Sequence, residues 1–198
     1  MKARSLVLAL SFAVLATLNT YGQGAPYGIV QFSILGRTAE DRVWINTTGV
    51  VGDGVQAPAG SAYLAALYWG PAGATTDAGF VQAGAPLSFP ATGQFGGGQR
   101  TISPLAVNGD TVSVQVRGWS TAGGAQTYEQ ALALGTEAGK SPWFDLKTKD
   151  PTDTLPSPSL GLQPEWNGMS ITPVPEPSVI ALGVAGVLAL LFRQRYWR

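Results

Sequence analysis

The side chains that could do chemistry in this chain are serines, lysines and carboxylates, because its 198 residues include neither histidine nor cysteine. Their absence removes thiolate chemistry, the commonest general base and the commonest transition-metal ligand. A serine nucleophile would then need a lysine base, and Lys140 stands next to Ser141. Neighbouring residues of a strand point to opposite faces, so this pair does not predict a serine–lysine enzyme.

Paired carboxylates could hydrolyse glycosides if two of them lay about 5 to 10 Å apart. The candidates are Glu129, Glu137 and Asp145, but their spacing gives no reason for any two to meet, and solvated surface charge is the better interpretation. Calcium takes oxygen ligands and could use residues 52–54 or 150–153, although neither has the spacing of a helix–loop–helix calcium site. We therefore predict no catalytic residue, no cofactor and no metal site, calcium being the one metal that the composition allows.

Tryptophans are the stronger candidates for ligand binding, because sugars stack on exposed aromatic rings. Trp44 and Trp119 are the candidate carbohydrate-binding residues, since each lies on a predicted strand opposite more aliphatic neighbours. Trp119 also shares a face with Gln115 and Arg117. The alternative is that these rings fill the core, where most aromatic side chains lie.

The elements that must position these side chains are predicted to be all-β. Residues 111–119 and 28–35 alternate between apolar and polar, as half-buried strands do, whereas residues 62–69 are apolar on both faces and suit a central strand. Shorter strands are predicted over residues 42–46, 80–82, 86–89, 99–103 and 143–147, and turns over residues 52–54, 70–73, 96–98 and 108–110. One short helix is predicted from Thr127 to Leu134, ended by Gly135. The pattern favours a single two-sheet β-sandwich, similar to a jelly roll, over residues 23–171. Near its end, the apolar residues Leu160, Leu162, Trp166, Met169 and Ile171 are expected to be buried.

The two ends of the chain have a different composition. Lys2 and Arg4 precede an apolar stretch from Leu6 to Leu18 and a small-residue exit, which predicts a secretory signal peptide over residues 1–22. The alternative is an uncleaved N-terminal anchor. We expect both this segment and the apolar C-terminal segment to form helices that flank the β-domain.

The C-terminal region, residues 172–198, begins as a polar linker and continues into a stiff motif, Val174-Pro175-Glu176-Pro177-Ser178. The apolar run from Val179 to Phe192 follows, and as a helix it would extend about 21 Å, against about 30 Å for the core of a bilayer. It is therefore short for a permanent anchor. The basic residues beyond it predict a cytoplasmic end by the positive-inside rule, with the body of the protein outside. These residues are Arg193, Arg195 and Arg198.

This order of proline-rich stop, short apolar helix and basic end resembles the PEP-CTERM sorting signal of bacterial envelope proteins. The resemblance implies export across the inner membrane, a membrane-anchored precursor and processing by an exosortase-type membrane enzyme. The alternative is a plain C-terminal anchor on a proline-rich stalk. The segments Ala62–Pro71 and Val114–Trp119 also resemble a group of small PEP-CTERM surface proteins to which no activity is assigned.

Charge and composition narrow the class of protein. Residues 23–177 contain seven basic and twelve acidic residues, a net charge of −5, so no basic surface for nucleic acid is expected. We expect a non-enzymatic protein of the cell envelope or extracellular matrix, possible partners being the membrane, the processing enzyme and an exopolysaccharide. The runner-up is a carbohydrate-binding surface module, and an enzyme is disfavoured.

Overall fold

The computed structural model describes residues 27–103, 109–150, 154 and 156–175, and this part of the chain is mostly β. Its strands are β1 (Ile29–Ser33), β2 (Val43–Ile45), β3 (Val55–Gln56), β4 (Gly60–Pro71), β5 (Val81–Gln82), β6 (Leu87–Phe89), β7 (Gly96–Thr101), β8 (Thr111–Ser120), β9 (Glu137–Lys140), β10 (Phe144–Lys147) and β11 (Met169–Pro173). Helix α1 spans Tyr128–Leu134, and 3-10 turns lie at Ala122–Gly124 and Leu160–Leu162. None of the helices in these ranges has the length and apolar character that crossing a bilayer requires.

The strands form one large mixed sheet and one small one. The large sheet has the order β3-β2-β11-β9-β8-β4-β5, with β10 also paired to β8 and β6 also paired to β4. Its centre is the antiparallel pair β4–β8, aligned from Tyr63 opposite Ser120 to Pro71 opposite Val112. The pair β2–β11 is parallel, and β1 and β7 form the separate two-stranded antiparallel sheet. The long predicted strands are therefore confirmed as β1, β4 and β8.

The first face of the β4–β8 pair carries the main apolar core. Val114 and Val116 of β8 and Leu67 of β4 point into it, and all three are fully buried. The small sheet contributes to the same core through Phe32 of β1, whose ring lies 4.6 Å from the ring of Phe95. The alternation predicted for residues 111–119 is thus real and faces this core.

The opposite face of the same strands is also buried, which the sequence did not predict. It presents Gln115, Arg117 and Trp119 of β8 beside Tyr68 of β4, and α1 and the loop of residues 72–80 cover it. Every residue of β8 after Thr111 is buried. The half-buried strand predicted over residues 111–119 is therefore wrong in burial, since a period of two cannot reveal a cover formed by distant segments.

Helix α1 begins and ends where its sequence predicts. The Thr127 hydroxyl accepts a hydrogen bond from the Gln130 amide at 3.1 Å, as an N-cap does. Gly135 adopts the left-handed conformation, φ 68°, that ends a helix at low cost for glycine, and its amide returns to the last helical turn. Tyr128 and Ala131 face the sheet and are buried.

Three local predictions are corrected by the structure. Gly96–Gly98, predicted as a turn, lies within β7, where a β-carbon on Gly97 would meet Leu87 at 2.4 Å, so glycine permits the close approach of β6. Leu162, predicted to need burial, is 74 % exposed. The linker predicted from Thr172 begins later, because β11 continues through Pro173 and pairs with β9.

Candidate functional site

The densest set of polar and aromatic side chains lies on the covered second face of the large sheet. We call it the Arg117 cluster, after the buried arginine at its centre. Its members are Arg117, Gln115, Tyr68, Tyr128, Asp77 and Glu129. Strands β4 and β8, helix α1 and the 72–80 loop each contribute, so the cluster joins the sheet to its cover.

The guanidinium of Arg117 is enclosed by aromatic rings and a buried amide. Its Cζ lies 4.0 Å from the ring centroid of Tyr68 and 5.3 Å from that of Tyr128. Its Nε donates to Oε1 of Gln115 at 2.9 Å, and Gln115 in turn donates to the carbonyl of Ser141 at 3.0 Å. Arginine suits this place because its flat, delocalised cation stacks on rings while its N–H groups still bond in the plane.

Two carboxylates complete the cluster from the cover. Arg117 Nη1 lies 3.1 Å from Oε1 of Glu129, and Nη2 lies 3.7 Å from Oδ2 of Asp77. Lys140 Nζ reaches the same Asp77 oxygen at 2.5 Å, and this hydrogen bond lowers the pKa of the Asp77 carboxyl. A glycosidase acid requires a carboxyl whose pKa is raised, so Asp77 is held in the opposite state.

The tyrosines of this face stay protonated. Burial raises the pKa of Tyr68, and the nearby Glu129 carboxylate raises it further. The Tyr68 hydroxyl therefore acts as a donor to Glu129, at 3.1 Å from Oε2. Tyr63 of β4 points to the first face instead, where burial likewise raises its pKa and its hydroxyl donates to Glu137.

The three carboxylates considered for glycoside hydrolysis have different partners. Glu129 binds Arg117 and Tyr68, whereas Glu137 accepts from Tyr63. Asp145 accepts from the Ser113 hydroxyl at 2.5 Å and from the Gly73 amide at 3.2 Å. No hydrogen bond or ion pair among the described residues joins one of these three carboxylates to another.

The adjacent Lys140 and Ser141 are likewise directed apart. Ser141 is buried, and its hydroxyl accepts from the Val116 amide at 3.0 Å while donating to the carbonyl of Pro142 at 2.8 Å. The Lys140 ammonium binds Asp77 instead. The serine therefore ties β8 to the segment that follows β9 and has no contact with the lysine's ammonium group.

The 72–80 loop, which covers this face, is anchored at three positions by residues 140–143. Trp143 Nε1 donates to the carbonyl of Ala74 at 3.0 Å, and Lys140 binds Asp77. The ring of Phe80 meets that of Trp143 edge to face, with centroids 6.5 Å apart and planes at 65°. Ala74, Asp77 and Phe80 are evenly spaced along the loop, so residues 140–143 hold it along its length. We call the exposed set of Trp143, Lys140 and Asp77 the Trp143 rim.

Sequence reasoning did not select Trp143 as a candidate, although its place at the start of a predicted strand contained the signal. Phe144 and Leu146 point inward, while Asp145 and Lys147 point outward. Trp143 has the parity of the outward set and is 37 % exposed, the most of the five tryptophans that the structure describes. The alternation within residues 143–147 could have identified it.

The two tryptophans that were selected have different outcomes. Trp119 is fully buried among α1 and the sheet, so its predicted role as a stacking platform is wrong. The cause is the cover on the second face, which turns an apparently outward side chain into a core residue. Trp44 is half-buried on β2, opposite Gln56 of the edge strand β3, and its carbohydrate-binding role stays a prediction.

The predicted sorting motif begins at the end of the described fold. Val174 is half-buried, packs against the core of the second face and donates its amide to the Thr136 carbonyl at 3.3 Å; Pro175 is exposed. Glu176, Pro177, Ser178, the run Val179–Phe192 and the basic residues Arg193, Arg195 and Arg198 lie outside the described residues, as do residues 1–22 of the predicted signal peptide.

The turn considered for calcium is closed by its own hydrogen bonds. Asp53 Oδ2 accepts from the Thr48 hydroxyl at 2.7 Å, and Oδ1 accepts from the Gly54 amide at 3.0 Å. Residues 151–153 of the second turn lie outside the described ranges. Within those ranges no group of three or more histidine, cysteine, aspartate or glutamate residues is arranged to hold a metal ion.

Comparisons of the chain with protein-family models, with curated proteins and with solved structures found no match.

Proposed function

We propose that this chain is an exported, non-enzymatic protein of a bacterial cell envelope or extracellular matrix. An N-terminal signal peptide directs it across the inner membrane, and a C-terminal sorting signal holds the precursor there for an exosortase-type enzyme. The mature form then associates with exopolysaccharide. The observation that carries the proposal is where the last strand ends: β11 reaches Pro173, Val174 is still attached to Thr136, and exposed Pro175, the first residue of the Pro-Glu-Pro motif, follows.

This ending suits a processing signal. The Pro-Glu-Pro motif starts immediately beyond the sheet, and proline disfavours both helix and inner-strand pairing. A peptidase needs an extended segment that the folded body does not claim. From Pro175 to Val179 the chain spans at most about 14 Å, so the motif would lie between the folded body and the membrane.

The body itself is proposed to be a two-sheet sandwich with jelly-roll-like character. Support comes from the core that Phe32 of β1 shares with Val114 and Val116 of β8, since β1 belongs to the small sheet and β8 to the large one. Facing sheets with a common apolar layer are the basis of sandwich architectures.

The non-enzymatic part of the proposal rests on how the Arg117 cluster and two neighbouring serines use their polar groups. The hydroxyls of Ser113 and Ser141 are committed to Asp145 and to Pro142, and Asp77 is kept ionised by Lys140 and Arg117. A polar network that satisfies its own members stabilises one arrangement of the fold. Its purpose is then to fix α1 and the 72–80 loop over the sheet.

Mass spectrometry of the protein from its native host tests the sorting signal. The mature chain is expected to lack the segment from Val179 to Arg198, and changing Pro175, Glu176 and Pro177 to alanine is expected to leave the precursor in the inner membrane. The matched control is Pro164→Ala with Glu165→Ala, an exposed Pro-Glu pair inside the body. Normal processing of the triple variant, or an intact C-terminal peptide in the wild type, would contradict the proposal.

A carbohydrate-binding surface module is the second candidate, and the exposed Trp143 favours it. Its ring is held in place by Ala74 and Phe80 at a surface where charged groups are also accessible. A glycan array probed with the chain tests this activity directly, and absence of binding to every glycan would remove it.

A further inference from the structure

We propose that the Trp143 rim is a subsite for one neutral sugar unit of a polysaccharide, with the hexose ring stacked on the indole and its hydroxyls bonded to Asp77 and Lys140. The inference rests on the proposed association with polysaccharide and is independent of the sorting signal. The proposed stacking residue is therefore Trp143, which a ligand can reach, and not the buried Trp119.

The indole of Trp143 is ordered before any ligand arrives. Its Nε1 is bonded to the Ala74 carbonyl at 3.0 Å, its ring meets that of Phe80 edge to face, and Pro142 restricts the backbone before it. Ordering a side chain on binding usually costs free energy. Because this ring is already ordered in the folded protein, binding does not incur that cost. A rigid aromatic face is what the C–H surface of a pyranose needs, because the electron-rich ring face attracts weakly positive C–H groups.

The polar groups of the rim supply both kinds of hydrogen-bonding partner that a hydroxyl requires. Lys140 is the last residue of β9 and lies three residues before Trp143; Asp77 lies midway in the chain between Ala74 and Phe80, the two loop residues that Trp143 contacts. The side chains of Lys140 and Asp77 are 46 % and 25 % exposed. Asp77 is an ionised acceptor and Lys140 a donor, so neighbouring hydroxyls can bond to one each.

The charge of the rim favours a neutral sugar. The charges of Lys140 and Asp77, 2.5 Å apart, neutralise each other, and Glu129 lies close by, paired with Arg117. The whole region between the terminal segments is acidic. An anionic saccharide would therefore meet like charge at a rim whose lysine is already paired with Asp77.

A protein partner is a weaker match for this surface. Stable protein interfaces bury about 800 Å² on each side, and lysine and aspartate are depleted from their centres. Here a salt bridge belongs to the same rim as the exposed ring. A sugar unit needs only one ring and a few hydrogen bonds, which the Trp143 rim provides.

Affinity electrophoresis of the full chain in a mild detergent tests the subsite. The probes are hydroxyethylcellulose, galactomannan and xylan, with alginate as the anionic contrast. The wild type is expected to be retarded by at least one neutral polymer and less by alginate. Trp143→Ala is expected to weaken binding about tenfold, Trp143→Phe to retain most of it, and Lys140→Gln to lose about threefold, since aromatic and hydrogen-bond contacts have such values. Leu162→Ala, which truncates another exposed apolar side chain, is the control and should bind as the wild type does.

Nuclear magnetic resonance gives a second readout that needs no folded Trp143→Ala protein. The indole N–H signal of Trp143, assigned by its loss in Trp143→Phe, is expected to shift on titration with the polymer that binds.

Retardation of the wild type with an unchanged Trp143 signal, or with full binding by Trp143→Ala, would overturn the subsite but leave polysaccharide association standing. No retardation by any neutral polymer would overturn both. Binding to alginate alone would contradict the neutral ligand, and capture of a protein at the rim without any sugar binding would show a protein interface instead.

Discussion

Replacing Arg117 by methionine tests which of its contacts stabilises the cover of the large sheet. Methionine keeps a straight apolar chain of similar length and removes the guanidinium, so little of the effect comes from an empty cavity. We expect the free energy of unfolding to fall by about 3 kcal/mol, a large loss for a single substitution.

The expected loss in the free energy of unfolding is the sum of three unequal contributions. Gln115 is fully buried, and losing the donor to its Oε1 leaves an amide oxygen unsatisfied, at a cost of about 1 to 3 kcal/mol. The stacking of the guanidinium on the Tyr68 ring, at 4.0 Å, contributes about 1 kcal/mol. The ion pair with Glu129 contributes less than about 1 kcal/mol, because the glutamate side chain is 59 % exposed and water screens it.

The assay is urea unfolding of residues 23–175 at neutral pH, followed by tryptophan fluorescence, with Glu129→Gln as the matched control. That control keeps the size of the side chain and removes only its charge, so it should lose less than about 1 kcal/mol. If Glu129→Gln lost as much as Arg117→Met, the ion pair would be the main contribution and the reasoning from burial would fail. A loss below 1 kcal/mol for Arg117→Met would refute it as well.

Three further changes test other parts of the fold. Gly139→Ala places a β-carbon 1.9 Å from the carbonyl of Ser170, so the β9–β11 pairing should open and the melting temperature should fall by many degrees. The milder control is Gly118→Ala, whose β-carbon meets flexible side-chain ends at 3.0 Å. Equal losses of melting temperature for the two variants would contradict this account. Burial raises the pKa of Tyr63 above the usual 10.0 of a tyrosine, so the stability it contributes is complete below pH 10 and is lost as the pH rises through the higher folded-state pKa. Thermal melts between pH 8 and 12 should fall less steeply for Tyr63→Phe than for the wild type, and parallel curves would exclude this tyrosine as a cause. Arg100 bonds two carbonyls of its own strand, β7, so Arg100→Ala should expose that edge and produce association that grows with concentration in light scattering, whereas a monomer at every concentration would show that the arginine does not protect the edge.

The strands and the helix could be predicted because their signals are local. The valines of residues 112–116 alternate over the right length, and Thr127 and Gly135 supply the chemistry that begins and ends a helix. These features need no knowledge of what lies opposite them. The short strands β3 and β9 and the parallel strand β11 have weak local patterns and depend on their partners.

The candidate site could not be predicted in the same way, because its identity depends on which surface is covered. Trp119 lies on β8 and Trp143 directly precedes β10, yet α1 covers the first and leaves the second accessible. Arg117 would count as an exposed strand residue by alternation alone. Its burial follows from the 72–80 loop and α1, whose positions no pattern in β8 can encode.

The place of β11 has a consequence for how the molecule is assembled. This late strand lies between β2, near the start of the described region, and β9, so the early hairpin β2–β3 joins the rest of the sheet through a segment made near the end of synthesis. A nascent chain therefore cannot close its architecture until almost all of it is present, and contacts so distant in sequence slow the final step. If the chain is exported as proposed, it would stay threadable for most of its passage through a translocation channel and become compact only when its last strand has emerged.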